Sequence, residues 1–265
     1  MEEGAIFALK IAMLNKIAET YFAGIIPQIM EKTTGGFAVA FLAAGCVLCA
    51  LIGYFLGSFN FALILSKKMY GEDIRNYGSK NAGTTNMMRT YGKKAAAFTI
   101  IGDILKGIVS VAIGCFAMGI NLGGYLTGLF CVIGHIFPVF YGFKGGKGVA
   151  TAAAVILMLN PFVFLCVIAV FLITVILSRY VSLGSVLAAA VFPLLTYSSL
   201  FAADTILPYR GFSFVFSFIM AVLVILKHKE NLDRLAHGKE NKFSFKSSKS
   251  KHKPSENSKP DTKTK

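Results

Sequence analysis

Between residues 134 and 151 the chain reads G-H-I-F-P-V-F-Y-G-F-K-G-G-K-G-V-A-T. Three glycines, Gly145, Gly146 and Gly148, are interleaved there with two cations, Lys144 and Lys147. Glycine lets backbone N–H groups converge on an anion, and a following helix N-terminus favours negative charge. The pattern reads as a seat for phosphate. A tight turn carrying positive-inside lysines would use the same residues. It is not a Walker A loop, because G-x-x-x-x-G-K-[ST] occurs nowhere in the chain.

Three further polar stretches carry residues of the same chemistry. The first, 70–94, is rich in Gly, Asn, Ser and Thr and holds Asp73, Arg75, Ser79, Lys80 and Arg89. Ordinary connections run to about 4–6 residues, so a polar loop this long calls for a function or disorder. Its glycine and asparagine spacing points to an ordered loop. Asp73 and Arg75 are placed equally well for a bracing ion pair or for the site. The second stretch, 178–185, contributes Arg179 and Ser185. The third, 228–240, puts His228, Asn231 and Leu235 on one helix face by i, i+3, i+7 spacing. His228 and Asp233 spell H-x-x-x-x-D, but i and i+5 point to different faces, so a His–Asp relay is not expected. The inventory is cationic, hydroxyl and amide, which suits a phosphorylated substrate. No His/Asp/Glu cluster has metal-ligand spacing, so no metal is expected, and without a G-x-S-x-G a Ser-His-Asp hydrolase is not expected either; no cofactor is expected. The five cysteines, Cys46, Cys49, Cys115, Cys131 and Cys166, all fall in apolar runs and read as small buried hydrophobes.

The elements that position these stretches are membrane helices. Hydrophobic residues make up 55% of the 265, charged residues 15%, and the mean hydropathy is +0.65. The apolar runs approach the ~20 residues a spanning helix needs. They lie at about 37–65, 95–118, 122–141, 149–177, 183–203 and 211–226. The fourth is too long for one straight span, and Asn160–Pro161 cuts it into a hairpin. Asp103 and Lys106, inside the second, are spaced to pair. The expected fold is an all-α polytopic membrane bundle of about seven spans. With that count all cationic segments fall on one side, which positive-inside bias makes cytoplasmic. The N-terminus is then outside and the C-terminus cytoplasmic. From residue 227 on, twelve Lys/Arg face five Asp/Glu, half of the chain's net +14. Such a tail suits anionic lipid headgroups or cytoplasmic solvent, not nucleic acid. The chain divides into an N-terminal extension (1–36), with the character of an interfacial helix, a membrane domain (37–243) and a disordered basic tail (244–265).

Three blocks, in order, resemble the integral-membrane acyl-phosphate:glycerol-3-phosphate acyltransferases of bacteria. The first, D-I-R-N-Y-G-S-K-N-A-G-T-T-N-M-M-R followed by Gly92-Lys93, is similar to the family's D-I-R-x-x-G-S-G-N-x-G-A-T-N-x-x-R-x-x-G-K. The 134–151 block matches without a gap. The third, H-K-E-N-L-D-R-L-A-H-G-K-E-N-K-F, is similar to H-R-E-N-I-x-R-L-x-x-G-x-E-x-K-F. The shorter G-D-I-L-K-G at 102–107 fits as well. The likeness covers about 51–243. Among the departures from the family pattern, its G-S-I-P is G-S-F-N at 57–60, so that Asn60 stands for a proline, Lys80 stands for a glycine and Thr84 for an alanine.

The resemblance implies transfer of a fatty acyl group from an acyl phosphate to the 1-hydroxyl of glycerol 3-phosphate. The products are lysophosphatidic acid and phosphate, the first step of phospholipid synthesis at the bacterial cell membrane. Carried over by motif position, Ser79, Lys147, His228 and Asn231 serve catalysis. Arg89, Lys147 and Ser185, with Gly145, Gly146, Gly148, Arg75 and Lys144, hold substrate phosphate. The alcohol proton passes to His228 or to a substrate phosphate oxygen, and the family is read in the second way. The expected partners are the two substrates and membrane lipids. The rival class is a transporter or flippase of a phosphorylated solute or lipid, which broken helices and cations would also suit.

Overall fold

The computed structural model describes residues 16, 23–30, 36–198 and 210–242. Helices α1 (Ile25–Met30), α2 (Gly36–Ser58), α3 (Phe61–Tyr70) and α4 (Thr84–Tyr91) come first. Helices α5 (Lys93–Met118), α6 (Tyr125–Ile136), α7 (Val149–Leu159) and α8 (Pro161–Ser178) follow. Helices α9 (Val181–Tyr197), α10 (Arg210–Lys227) and α11 (Lys229–Ala236) complete the order, and no strand occurs among the described residues. Most of the 1–36 extension, the 199–209 connection and the tail from 243 on lie outside the described residues.

Four helical segments are long and apolar enough to cross a membrane: Val39–Tyr70, Lys93–Met118, Leu122–Tyr141 and Pro161–Ser178. The bent pair α10–α11 makes a fifth candidate, and α7 and α9 are shorter apolar helices. Their outward faces are hydrocarbon. On α8, Phe162, Ile176 and Leu177 are 70%, 73% and 80% exposed. Apolar surface of that extent is matched by lipid, not water. Because lipid tails offer helices no hydrophobic drive to associate, close backbone approach does the work. Between α2 and α6 it rests on Gly53, Gly57 and Gly134, where an added Cβ would meet the backbones of Thr127, Cys131 and Tyr54. The central packing layer joins Val111, Val132, Ile136, Val155, Val163 and Met220.

Three helix ends differ from or refine the expectation. The run at 37–65 is two helices, because the chain breaks at Phe59 and restarts with Asn60 as N-cap. Asn60 Oδ1 accepts from Leu63 N at 3.1 Å, which satisfies a donor the helix start leaves open. Its Nδ2 donates to Ala82 O at 3.2 Å, something the family's proline has no group to do. The 149–177 run divides at Asn160, whose Oδ1 accepts from Val163 N at 3.0 Å, with Pro161 in the first turn of α8. Finally, α10 and α11 meet at a 53° bend with His228 at the corner. All five cysteines are free thiols.

Candidate active site

Asn86 organises the 71–83 loop. This fully buried amide accepts from Ser79 N at 2.8 Å. Its Nδ2 lies within hydrogen-bond distance of the carbonyls of Tyr77 (2.9 Å), Asn81 (3.0 Å) and Ile74 (3.2 Å). Ile74 and Met87, both fully buried, plug the loop onto α3. Ser79 is thereby held at the rim of a cavity of about 580 Å³, with Arg89 beside it on α4. The long polar stretch is ordered, and its hub is a residue absent from the expected site. Asn86→Ala strands buried carbonyls and an N–H at about 1–3 kcal/mol per unmet group. We expect a loss of about 2–4 kcal/mol of stability, read as a lower thermal midpoint, with activity lost alongside.

Arg75 does not join that rim. Its Nε and Nη2 donate to the Asp73 carboxylate, at 2.7 Å for the shortest contact, and Nη1 donates to Tyr141 O (2.9 Å) and Lys144 O (3.0 Å). The hydrogen bonds from Arg75 hold the Asp73 carboxyl below its usual range. Of the two parts open to this pair, the geometry gives bracing: Arg75 ties the 71–83 loop to the 141–144 backbone. Lys144 likewise lies off the cavity wall. Lys80 takes the left-handed backbone (φ 56°) that a glycine adopts freely, and it is exposed and does not line the cavity.

The glycine–lysine loop folds back on the end of α6. Gly145 N donates to Ile136 O and Gly146 N to His135 O, both at 3.1 Å. Those two N–H groups are therefore spent within the fold instead of converging on an anion. The glycines serve approach: an added Cβ on Gly146 would meet His135 Nε2 and lie 2.6 Å from Ala82 O. Gly148 (φ 80°) lines the cavity and turns the chain into α7. Lys147 is left aimed inward, and its ammonium donates to Asn231 Oδ1. Burial, with the nearby Arg234 and Arg89 charges, lowers Lys147 to about 8 against the opposing pull of Glu240.

The far wall comes from α9 and the α10–α11 corner. Ser185 lines the cavity while its hydroxyl donates to Val181 O at 2.9 Å. His228 and Asn231 are both buried and both face the cavity. His228 Nδ1 sits 2.8 Å from Val224 O. A carbonyl only accepts, so the ring proton is on Nδ1 and Nε2 carries the free lone pair. Burial first, then the Lys147 charge, pushes this imidazole down to about 4, so it is neutral at pH 7. Asp233 takes no part: it is exposed and lies 3.5 Å from His237.

Glu240 knits this wall together. Its carboxylate accepts from Ser182 Oγ (2.9 Å), Asn231 Nδ2 (2.6 Å) and Arg234 Nε (2.9 Å). Burial raises the carboxyl, but these bonds outweigh it and hold Glu240 below its usual range. Ser182, Arg234 and Glu240 were not anticipated as site residues, although Arg234 and Glu240 stand inside the third motif block. Beyond the polar end the cavity continues between apolar side chains, Ile104, Leu157, Phe164, Phe171 and Phe192 among them. No group of three or more metal-ligating side chains occurs among the described residues.

A helical protein with lipid-matched faces, and a cavity that is cationic at one end and hydrocarbon along the other, is a membrane protein fit to hold an anion and an acyl chain together. The family model for glycerol-3-phosphate acyltransferase matches residues 47–238. A glycerol-3-phosphate acyltransferase of Finegoldia magna is 41% identical over 200 residues, 74% of this chain and 96% of the relative. Two crystal structures of PlsY, an integral membrane glycerol 3-phosphate acyltransferase, are also similar. Its glycerol 3-phosphate form has a TM-score of 0.68 at 36% identity, covering 75% of this chain and 96% of that one. Its lysophosphatidic acid form has a TM-score of 0.65 at 35% identity, covering 75% and 95%. The chain belongs to the glycerol-3-phosphate acyltransferase family, and it is an integral-membrane acyltransferase.

Proposed function

We propose that this chain transfers a fatty acyl group from an acyl phosphate to the 1-hydroxyl of glycerol 3-phosphate, releasing lysophosphatidic acid and inorganic phosphate. The observation that carries the reading is the shared cavity. Lys147 and Arg89 supply charge at its polar end, and Ser79, Ser185, His228 and Asn231 supply hydrogen-bonding groups beside an apolar trough. Both substrates bring a phosphate, and one brings a hydrocarbon tail. An acyl phosphate is a mixed anhydride whose leaving phosphate needs little protonation. Cations on that phosphate and donors at the carbonyl oxygen stabilise the charge that develops. The new ester bond forms as the acyl–phosphate bond breaks. The alcohol proton goes to a phosphate oxygen of the substrate while protein groups position the reactants.

The test is the purified protein in lipid, given glycerol 3-phosphate with an acyl phosphate, an acyl thioester or neither. Phosphate release that needs both acyl phosphate and glycerol 3-phosphate, with stoichiometric lysophosphatidic acid, supports the reading. Binding of the phosphate compounds without turnover contradicts it and favours the transporter.

The reading extends to topology. Taken as crossings, the five candidate spans and the two shorter apolar helices α7 and α9 make seven. The membrane domain then runs over 37–243, with an extension before it and a basic tail after it. The N-terminus is outside, and the site opens to the cytoplasm of a bacterial cell membrane. In intact cells, an impermeant thiol reagent should label Thr205→Cys and leave Lys80→Cys unlabelled. Labelling at position 80 from outside would reverse the orientation.

A further inference from the structure

Three ionisable side chains are buried together beneath the substrate loops. Asp103, Lys106 and His135 are 1%, 6% and 3% exposed, and the chemistry above uses none of them. Lys106 Nζ donates to Gly57 O (3.0 Å) and Phe59 O (2.9 Å), which crosses the break between α2 and α3. It lies 2.8 Å from His135 Nδ1 and 3.0 Å from Asp103 Oδ1. An ammonium only donates, so Nδ1 of His135 is the acceptor and the ring proton sits on Nε2. Asp103 supplies the counter-charge that keeps a buried cation tolerable. Lys106 is committed to these buried acceptors. It fixes the rotation of the His135 ring.

The other edge of that ring lies between the two loops that carry Ser79 and Lys147. A Cβ on Gly146 would meet both His135 Nε2 and Ala82 O, so the ring edge and the Ala82 carbonyl both close in on the bare Cα of Gly146. Ala82 O is itself held from the far side by Asn60 Nδ2. The backbone carbonyl of His135 anchors Gly146 N at 3.1 Å. One residue thus meets the glycine–lysine loop through its main chain and through its ring. Both His135 and Asp103 also reach the cavity wall.

We propose that His135, locked in orientation by Lys106 and Asp103, is a positioning residue that sets the separation between the Ser79–Arg89 and Lys147 sides of the site. The proposal rests on those two loops holding the substrates. It assigns the buried cluster an effect on turnover instead of one on folding alone.

Two substitutions separate these effects. The carboxamide oxygen of asparagine overlays Nδ1, so His135→Asn keeps an acceptor for Lys106 and removes the wedge between the loops. The amide nitrogen of glutamine reaches the Nε2 position, so His135→Gln keeps the wedge and gives up the acceptor. A shift of about 1 Å in a reacting group costs up to about 10²-fold in rate. For His135→Asn we expect a wild-type thermal midpoint, kcat lower by about 10- to 100-fold and both KM values within about threefold. For His135→Gln we expect a lower midpoint with kcat per folded molecule within about threefold of wild type. The pH–rate limbs should stay in place in both. Wild-type kcat in a folded His135→Asn protein overturns the proposal, as does His135→Asn activity that merely follows the folded fraction, or a kcat per folded His135→Gln molecule that falls as far as that of His135→Asn. Displaced pH limbs also overturn it, since they would make His135 a titrating catalytic group. Lys147→Ala is measured alongside. If it loses activity while His135→Asn does not, only the positioning role fails; if neither matters, the assignment of the loops fails.

Discussion

Lys147→Ala should lower kcat/KM by at least about tenfold while the protein stays folded. A charge-assisted contact to phosphate contributes about 1.5–3 kcal/mol, and each 1.4 kcal/mol is tenfold. Lys147 is the inward-facing cation of the glycine–lysine loop, and its ammonium meets Asn231 on the opposite wall. The same lysine sets a pH dependence. Burial lowers it to about 8, so the free enzyme loses this cation as pH rises through that value. The profile of kcat/KM reports free-enzyme ionisations, and a descending limb near pH 8 is expected. In Lys147→Arg the charge persists at any working pH, and that limb should vanish even where geometry lowers the plateau. Unchanged kinetics in Lys147→Ala would leave the lysine as a signal of membrane orientation.

Gly146→Ala should cost at least about 100-fold in kcat/KM. The added methyl would overlap the His135 ring and lie 2.6 Å from the Ala82 carbonyl. Neither neighbour is the free end of a flexible side chain, so the loop that carries Lys147 must move. Displacements near 1 Å reach that scale of loss. Gly142→Ala is the control. Gly142 sits in the same loop with φ 66°, and its Cβ position is open. It should bring backbone strain of about 1–2 kcal/mol with activity near wild type. Equal loss in the two variants would mean that the loop tolerates no side chain anywhere and that contact with His135 is irrelevant.

What the sequence made legible is what depends on spacing along one element. The i, i+3 relation of His228 and Asn231 places both on the cavity, and apart from the break at Asn60 the apolar runs correspond to helices over the described residues. Asp103 and Lys106 pair at 3.0 Å as their spacing suggests. What stayed hidden depends on partners far away in the chain. Arg75 is cationic by type, but the carbonyls of Tyr141 and Lys144, more than sixty residues on, turn it into a brace. Gly145 and Gly146 carry the composition of an anion nest, yet the last carbonyls of α6 claim their N–H groups. Glu240 is an acid in a site expected to be cationic. Its place becomes clear only when Ser182, Asn231 and Arg234 are seen to donate to it together. Asn60 breaks an apolar run that periodicity reads as continuous, because it caps one helix while holding Ala82.

The central claim is that the site positions two phosphorylated substrates and leaves the alcohol proton to substrate phosphate. The pH–rate profile of His228→Gln, with Asp233→Asn beside it, tests this most directly. The second ionisation of a phosphate monoester lies near about pH 6, well above the value near 4 at which His228 titrates in the free protein. The account predicts an acid limb near about pH 6 in wild type and an unchanged limb in His228→Gln. Activity of His228→Gln should be reduced but measurable, and Asp233→Asn nearly silent. An acid limb near 4 that disappears in His228→Gln, with a fall of more than about 10⁴-fold, would make His228 the general base and contradict it.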